Sequence, residues 1–479
     1  MNSVNVQNKP FKSVHITNYY HKNSGGISNS YNRLLEAANR HERLVRLIVP
    51  GEISETEEVG KFGKIYYVKA KPFPLFDKRY RVMHAWDTYI FNGTPIREIL
   101  KHEQPDMIEI AEKYSLSLLA GMIRKGRFKS LERPMLVHFT CERMDDNMES
   151  YVSDLKPFMW FARRVMGNYN FPMFDFHIAN SDYTAQELLN AVSPAKNPKR
   201  SDKFLNFCWQ YFHAGRNSID SRVFVNPRGV NTTLYTDSRK TAEFRQTMLR
   251  ECDFPENATV LLYAGRIAPE KNVQMLPELM KILAQNKSRD FRLIIAGDGP
   301  KYDWLKSEME KLAPGKFKFL GHLTDREKLA NLYANADIFV HPNPKEPFGI
   351  APLEAMASGT PVVAPNSGGI LTYANSENAW LVATNAESFA AAIQNVCDND
   401  VNRAKVTRSA LNTARTYTWE SSTDKLFALY DKMYDEFQSH KELFAYETDP
   451  REIDFAKELF DKRREFRAST ITDLIEKSS

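Results

Sequence analysis

The sequence predicts an α/β protein built from two doubly wound, Rossmann-like domains, and three observations carry that expectation. From residue 12 onward, short apolar runs of strand length alternate with longer mixed segments, the pattern of parallel strands covered by helices. The rhythm breaks near Asn226-Pro-Arg-Gly-Val-Asn231 and then restarts. At 479 residues the chain exceeds one ordinary core and accommodates two domains of roughly 200 residues each.

Taken in order, the first half offers strands at 13–17, 44–49, 65–68, 107–110, 135–139, 176–179 and 222–225, with helical segments between most of them. After a linker at 226–235 the second half offers strands at 260–264, 293–296, 317–320, 338–341, 361–364 and 380–382. From Thr418 the chain turns Lys/Glu/Phe/Leu-rich, and Leu426, Leu429, Met433 and Phe437 recur at helical spacing. The expected organisation is a first domain over 1–228, a second over 229–417, and helices over 418–479 that cross back to the first domain. The charged stretch 450–470 reads as a solvated helix or a partner-binding element.

Composition narrows the class. Hydrophobic residues make up 42% of the chain, and the longest apolar runs are strand-sized, far short of the roughly 20 residues of a membrane span. The first dozen residues lack a signal-peptide core, so a cytoplasmic protein is expected. Cys141, Cys208, Cys252 and Cys397 are scattered without C-x-x-C pairing, which argues for reduced thiols rather than zinc or disulfides. A net charge of +5 is too weak to argue for nucleic acid.

Open parallel sheets bind ligands at the carboxyl ends of their strands, so the turns there are the candidate sites. Gly25-Gly26 precede a helix-like run and permit close approach of backbone to phosphate. Gly265-Arg266 through Glu270-Lys271 place two cations five positions apart at a strand end, where a fork and a point charge suit a diphosphate. Gly297-Asp298-Gly299 and Gly321-His322-Leu323 end further strands and border a base or ribose with main-chain atoms. Each of these turns, taken alone, reads equally as an ordinary connection. Glu346 and Glu354 flank a glycine and a helix start, so the N–H groups of Phe348, Gly349, Ile350 and Ala351 lie between two carboxylates. One carboxylate can accept hydrogen bonds from a hexose, the other from a ribose.

In this order and spacing, Gly265-Arg266-x-x-x-Glu270-Lys271, Gly297-Asp298-Gly299-Pro300, Glu346-x7-Glu354 and Gly359-Thr360-Pro361-Val362-Val363-Ala364 resemble the retaining family 4 glycosyltransferases of GT-B architecture. The resemblance covers essentially the whole second half and, more loosely, the first. It implies two domains facing across a cleft, with transfer of a sugar from a nucleotide diphosphate sugar, no cofactor and no metal. Arg266 and Lys271 would then bind the diphosphate, Glu346 the hexose and Glu354 the ribose. The backbone of Phe348 to Ala351 would contact sugar and phosphate, and Gly25 and Gly26 would close from the other domain. His138, at a strand end expected to face the cleft, is the further catalytic candidate that family context suggests. Glu142 and Arg143 follow it and would line the acceptor pocket. With no compelling nucleophile, front-face displacement is favoured.

The segments beginning at Asp106 and Val137 are similar to those of bacterial α-mannosyltransferases acting on glycolipids, which points to GDP-mannose. Leu371-Thr372 follow Gly368-Gly369-Ile370 where the family commonly carries an acidic residue, so a UDP-sugar hexosyltransferase is a rival reading; a non-catalytic nucleotide-sugar-binding protein is another, against which the intact Arg266, Lys271, Glu346 and Glu354 argue. Basic and aromatic residues interleave at 71–83 and 159–166, a composition suited to peripheral contact with an anionic membrane.

Overall fold

A computed structural model describes residues 10–20, 26–72, 81–151, 156–192, 211–212 and 222–440. Its first sheet has eight strands: β1 (Lys12–Ile16), β2 (Leu44–Gly51), β3 (Glu55–Val59), β4 (Gly63–Lys69), β7 (Met107–Ile110), β8 (Met135–Thr140), β9 (Phe176–Ala179) and β10 (Val223–Val225), with a small separate ribbon of β5 (Lys71–Pro72) and β6 (Arg81–Val82). They lie in the order β10-β9-β8-β7-β1-β2-β4-β3. All neighbours are parallel except β3 and β4. The second sheet is entirely parallel: β11 (Thr259–Ala264), β12 (Phe291–Ala296), β13 (Phe317–Gly321), β14 (Ile338–Val340), β15 (Val362–Pro365) and β16 (Trp380–Val382), ordered β13-β12-β11-β14-β15-β16.

The expected α/β class with two Rossmann-like sheets is therefore the fold found. Each strand read from an apolar run lies within about two residues of its place, because interior parallel strands are buried on both faces and must be apolar throughout. The strand β3 had no such signal: Glu55-Thr-Glu-Glu is exposed at an antiparallel edge, where charge also guards against strand addition.

The order of strands fixes where a ligand goes. In the first sheet the chain order reverses beside β1, between β2 and β7; in the second it reverses between β11 and β14. These are the switch points at which connections leave in opposite directions and open a crevice.

The helix Trp419–Ser439 starts at the Thr418 cap, whose Oγ1 accepts from Ser421 N at 3.1 Å, and it packs on the first sheet, not the second. Leu426, Phe427, Tyr430, Met433 and Phe437 join Leu34, Leu47, Val137 and Ile178 in one buried cluster. Five such side chains contribute on the order of 10 kcal/mol of burial, as an upper value. Two segments thus run between the sheets, and they pair: Val230 N donates to Tyr417 O at 2.8 Å and Trp419 N to Val230 O at 3.3 Å. Cys141, Cys252 and Cys397 are free thiols. Gly25, Cys208 and the stretch 450–470 lie outside the described residues.

Candidate active site

At the carboxyl edge of the second sheet, the turns after β11 and β12 are locked face to face. Gly265 N donates to Ala296 O at 3.0 Å and Ile267 N to Asp298 O at 3.0 Å. A Cβ on Gly297 would lie 1.9 Å from the Gly265 carbonyl oxygen, so only glycine permits this approach. The Asp298 side chain folds back to accept from Gly299 N at 2.7 Å. Arg266 leaves this turn one-third exposed, with its Nη1 3.6 Å from Glu270 Oε1 and its Nε without a partner among the described residues. Lys271 follows in a single turn, Pro269–Lys271, ended by Asn272 in the left-handed region. Asn272 Nδ2 donates to Pro342 O at 2.9 Å, which ties the cation-bearing turn to the loop after β14.

That loop carries Glu346. Its Oε2 accepts from Lys271 Nζ at 2.8 Å and from Asn343 Nδ2 at 2.9 Å, and its main-chain oxygen accepts from Gly369 N at 2.6 Å. Burial alone would raise this carboxyl, but Lys271 above all, with the neighbouring His341 and Asn343, holds it down to about 2. It is therefore ionised throughout the neutral range. No described residue donates to Oε1, which leaves that oxygen for a ligand.

After Glu346 the chain turns into the helix Ile350–Ala357 through Gly349, whose φ of +88° a side chain would resist. The Tyr373 hydroxyl donates to Gly349 O. Phe348 is buried against Tyr373, ring centroids 5.2 Å apart, so only its main chain remains for a ligand. The first N–H groups of this helix have no intrahelical acceptor and present partial positive charge to whatever lies before them. Glu354, half-buried, sits one turn further in. Burial pushes its carboxyl up to about 7, opposed by the hydroxyls of Tyr333 and Tyr235 and by the charge of Arg326. His322 is exposed, and Leu323 packs on the edge of the core beneath β11 and β14.

The first domain meets this edge directly. Gly26 opens the helix Gly26–Arg40, and a Cβ there would stand 3.3 Å from Ile350 Cδ1, so two helix N-termini face each other across the domain boundary. Ser181 Oγ donates to Pro347 O, and Lys345 Nζ lies 2.5 Å from Glu149 Oε1. Glu142 accepts from Tyr19 at 2.6 Å. Arg143 is engaged by Asp145 in a fork of 2.8 and 2.6 Å and donates to Tyr183 O at 2.9 Å.

His138 is the correction. The strand β8 runs to Thr140, which places His138 inside the sheet rather than at its mouth. The residue is fully buried, its ring against Phe174 and its Nδ1 3.1 Å from His177 Nδ1. Burial, reinforced by Lys113, drives its pKa well below the usual histidine range. The expected place at the strand's end is thus replaced by one within the sheet, enclosed by Phe174 and His177. Conversely, His341, Asn343 and Asn272 stand in the site without having been singled out. His341 ends β14 at the switch point, and the strand-end rule applied to that strand was the signal available for it.

Residues 244–413 match the family described as Glycosyl transferases group 1. The chain is 25% identical over 430 residues to a GDP-mannose-dependent alpha-(1-6)-phosphatidylinositol dimannoside mannosyltransferase of Mycobacterium tuberculosis, covering 88% of this chain and 96% of the relative. It is 26% identical over 433 residues to a GDP-mannose-dependent alpha-mannosyltransferase of Corynebacterium glutamicum, covering 88% and 89%. Among solved structures, Anabaena HepE in complex with UDP and glucose superposes with a TM-score of 0.62 at 16% identity, over 88% of this chain and all of that one. Sucrose-phosphate synthase from Thermosynechococcus elongatus gives 0.63 at 18%, over 89% and 100%. The fold is that of the GT-B glycosyltransferases.

Proposed function

We propose that this chain, a glycosyltransferase by its 244–413 domain, is a retaining mannosyltransferase that moves mannose from GDP-mannose to a glycan or glycolipid acceptor. The observation that carries the reading is the Lys271–Glu346 contact at 2.8 Å, which joins a cation and a carboxylate at the switch point between β11 and β14. The identities with two GDP-mannose-dependent enzymes support the choice of donor.

In this reading Arg266, Lys271 and the N-terminus of Ile350–Ala357 neutralise the diphosphate, and no metal or cofactor is required. Gly26 adds main-chain atoms from the other side, with Gly25 beside it in sequence. Glu346 accepts from hexose hydroxyls through Oε1, and Glu354 from the ribose. The turns at Gly297-Asp298-Gly299 and His322-Leu323 border the nucleoside. The acceptor hydroxyl attacks the anomeric carbon on the face from which the diphosphate departs. One carbon–oxygen bond forms as the other breaks, and a departing phosphate oxygen takes the hydroxyl proton. Developing charge on that oxygen meets donors already in place, which is the large electrostatic term in such catalysis.

The test is thermal stabilisation by GDP, UDP and ADP followed by turnover of the matching nucleotide sugar. Stabilisation by GDP, and release of GDP from GDP-mannose, is expected. UDP preference would move the donor to a UDP-hexose, binding without turnover would indicate a non-catalytic binder, and no stabilisation by any of the three would sink the reading.

Glu354 supplies a pH-dependent check. Ribose hydroxyls donate best to the ionised carboxylate, and its carboxyl is held up to about 7. GDP affinity should therefore strengthen as pH rises from about 6 to about 8, by up to roughly tenfold. Glu354→Gln should lose the part of this slope that the protein contributes, measured calorimetrically as the difference between the two proteins so that titration of the phosphates cancels. Equal slopes would remove Glu354 from the ribose.

On the first domain Trp86 and Phe91 stand 67% and 56% exposed, and Trp160 and Phe161 are also exposed. They support peripheral contact with an anionic membrane from the cytoplasmic side, the acceptor then being lipid-borne. Much of the basic-aromatic stretch 71–83 lies outside the described residues. No helix among the described residues is long and apolar enough to cross a membrane. Flotation with anionic liposomes at low salt should carry the protein upward; its absence would count against the contact.

A further inference from the structure

We propose that His341 is a positioning residue for the donor sugar, taking hold of Glu346 when Lys271 is drawn away to the incoming diphosphate. The inference rests on the roles given above to Lys271 and Glu346.

The geometry has an unsatisfied element that points this way. His341 lies one residue beyond β14, and its main-chain N donates to Val363 O at 2.9 Å, so β15 fixes where the ring stands. The ring is parallel to that of Phe339, within 16° and 6.5 Å between centroids, and the residue is only 6% exposed. Its Nε2 has no hydrogen-bond partner among the described residues and stands 3.7 Å from Glu346 Oε2. A buried polar nitrogen without a partner carries a desolvation cost, and one aimed at a carboxylate from just beyond bonding distance can relieve that cost by a small closure.

What blocks closure in this state is visible. Oε2 is already occupied by Lys271 Nζ and Asn343 Nδ2. Lys271 also disfavours a protonated His341, which burial in the first place, against the opposing pull of Glu346, brings down to about 4. The ring is therefore neutral, with one N–H to give. A diphosphate carries more negative charge than one carboxylate and competes for the same ammonium. Once Lys271 turns to it, Glu346 Oε2 keeps only Asn343, in a site where a carboxylate needs more than one donor. A shift of about 1 Å brings His341 Nε2–H to a normal hydrogen-bond length. Glu346 then keeps its orientation, with Oε1 still aimed at the hexose, while its former partner serves the leaving group.

The experiment compares His341→Leu, which keeps the bulk and removes the donor, with His341→Gln, which places an N–H near the position of Nε2. Thermal midpoint, GDP affinity, and kcat and KM for GDP-mannose are measured on each full chain. His341→Leu should hold its thermal midpoint and bind GDP within about twofold of wild type, because replacing an unpartnered polar group by an apolar one costs little. Its kcat should fall roughly tenfold or more, as loss of one hydrogen bond to a charged group does. His341→Gln should recover most of that loss. Unchanged kcat in His341→Leu would show that Lys271 bridges carboxylate and diphosphate unaided and would overturn the proposal. So would a Gln variant no better than Leu, since the ring's packing would then be what matters. A wild-type protein that binds no nucleotide and turns over no nucleotide sugar would overturn the donor reading as well.

Discussion

Lys271→Ala should lower turnover of the nucleotide sugar by at least about 10²-fold, the scale on which removal of one preorganised transition-state donor registers. Two effects act in the same direction. The diphosphate loses the cation nearest the switch point, so charge developing on the leaving oxygen is met by Arg266 and the helix N-terminus alone. Glu346 loses the partner that does most to hold its carboxyl down to about 2 against burial, so it no longer keeps its charge and orientation without cost. Lys271→Arg should not restore activity fully, because a planar fork does not reproduce a compact ammonium that can turn from Glu346 to a phosphate. Arg266→Ala should also cost about 10²-fold, since the guanidinium is one-third exposed at the strand end and its contact with Glu270 is long, 3.6 Å. Single-turnover rates at saturating donor give the comparison. Unchanged rates in both alanine variants would show that the diphosphate lies elsewhere.

Glu346→Ala should impair transfer on a similar scale, about 10²-fold in kcat, while GDP affinity is largely preserved. The carboxylate is held by Lys271 and Asn343, the main chain of Glu346 by Gly369, and the open Oε1 is what the hexose would meet. Its removal releases Lys271 to the diphosphate, which compensates GDP binding without replacing the sugar contact. Glu354→Ala should show the opposite pattern, with weakened nucleotide binding as the main effect. Calorimetric GDP affinities beside kcat and KM separate the two. If the phenotypes came out reversed, the ribose and hexose ends of the site would have to be exchanged.

The second half of the molecule was legible because its chemistry sits on turns whose residue types are dictated by backbone geometry. Gly297 is required where the turns after β11 and β12 approach within 1.9 Å of where a Cβ would be, and such a constraint leaves a mark in sequence. The 75-residue separation between Lys271 and Glu346 hides their contact from any local pattern. The order of the motifs placed both residues in one donor site, and the contact itself appears only in the fold. His138 differs because β8 continues to Thr140 beyond the expected end at 139, which sets it further inside the sheet. With β8 ending at Thr140, Phe139 joins the cluster under Trp419–Ser439 while His138 packs on Phe174 and His177. His341 went unremarked because a single histidine at a strand end carries no spacing signal. Its meaning comes from a partner at 3.7 Å that is already taken.

The account stands most directly on what happens to one sugar. Wild-type protein incubated with GDP-mannose and a cell lipid extract should release GDP and yield a lipid heavier by one hexose, with the new linkage in the α configuration of the donor. No hexose gained by any acceptor from GDP-mannose or from any other nucleotide sugar in a panel, with the protein folded and at high concentration, would contradict it.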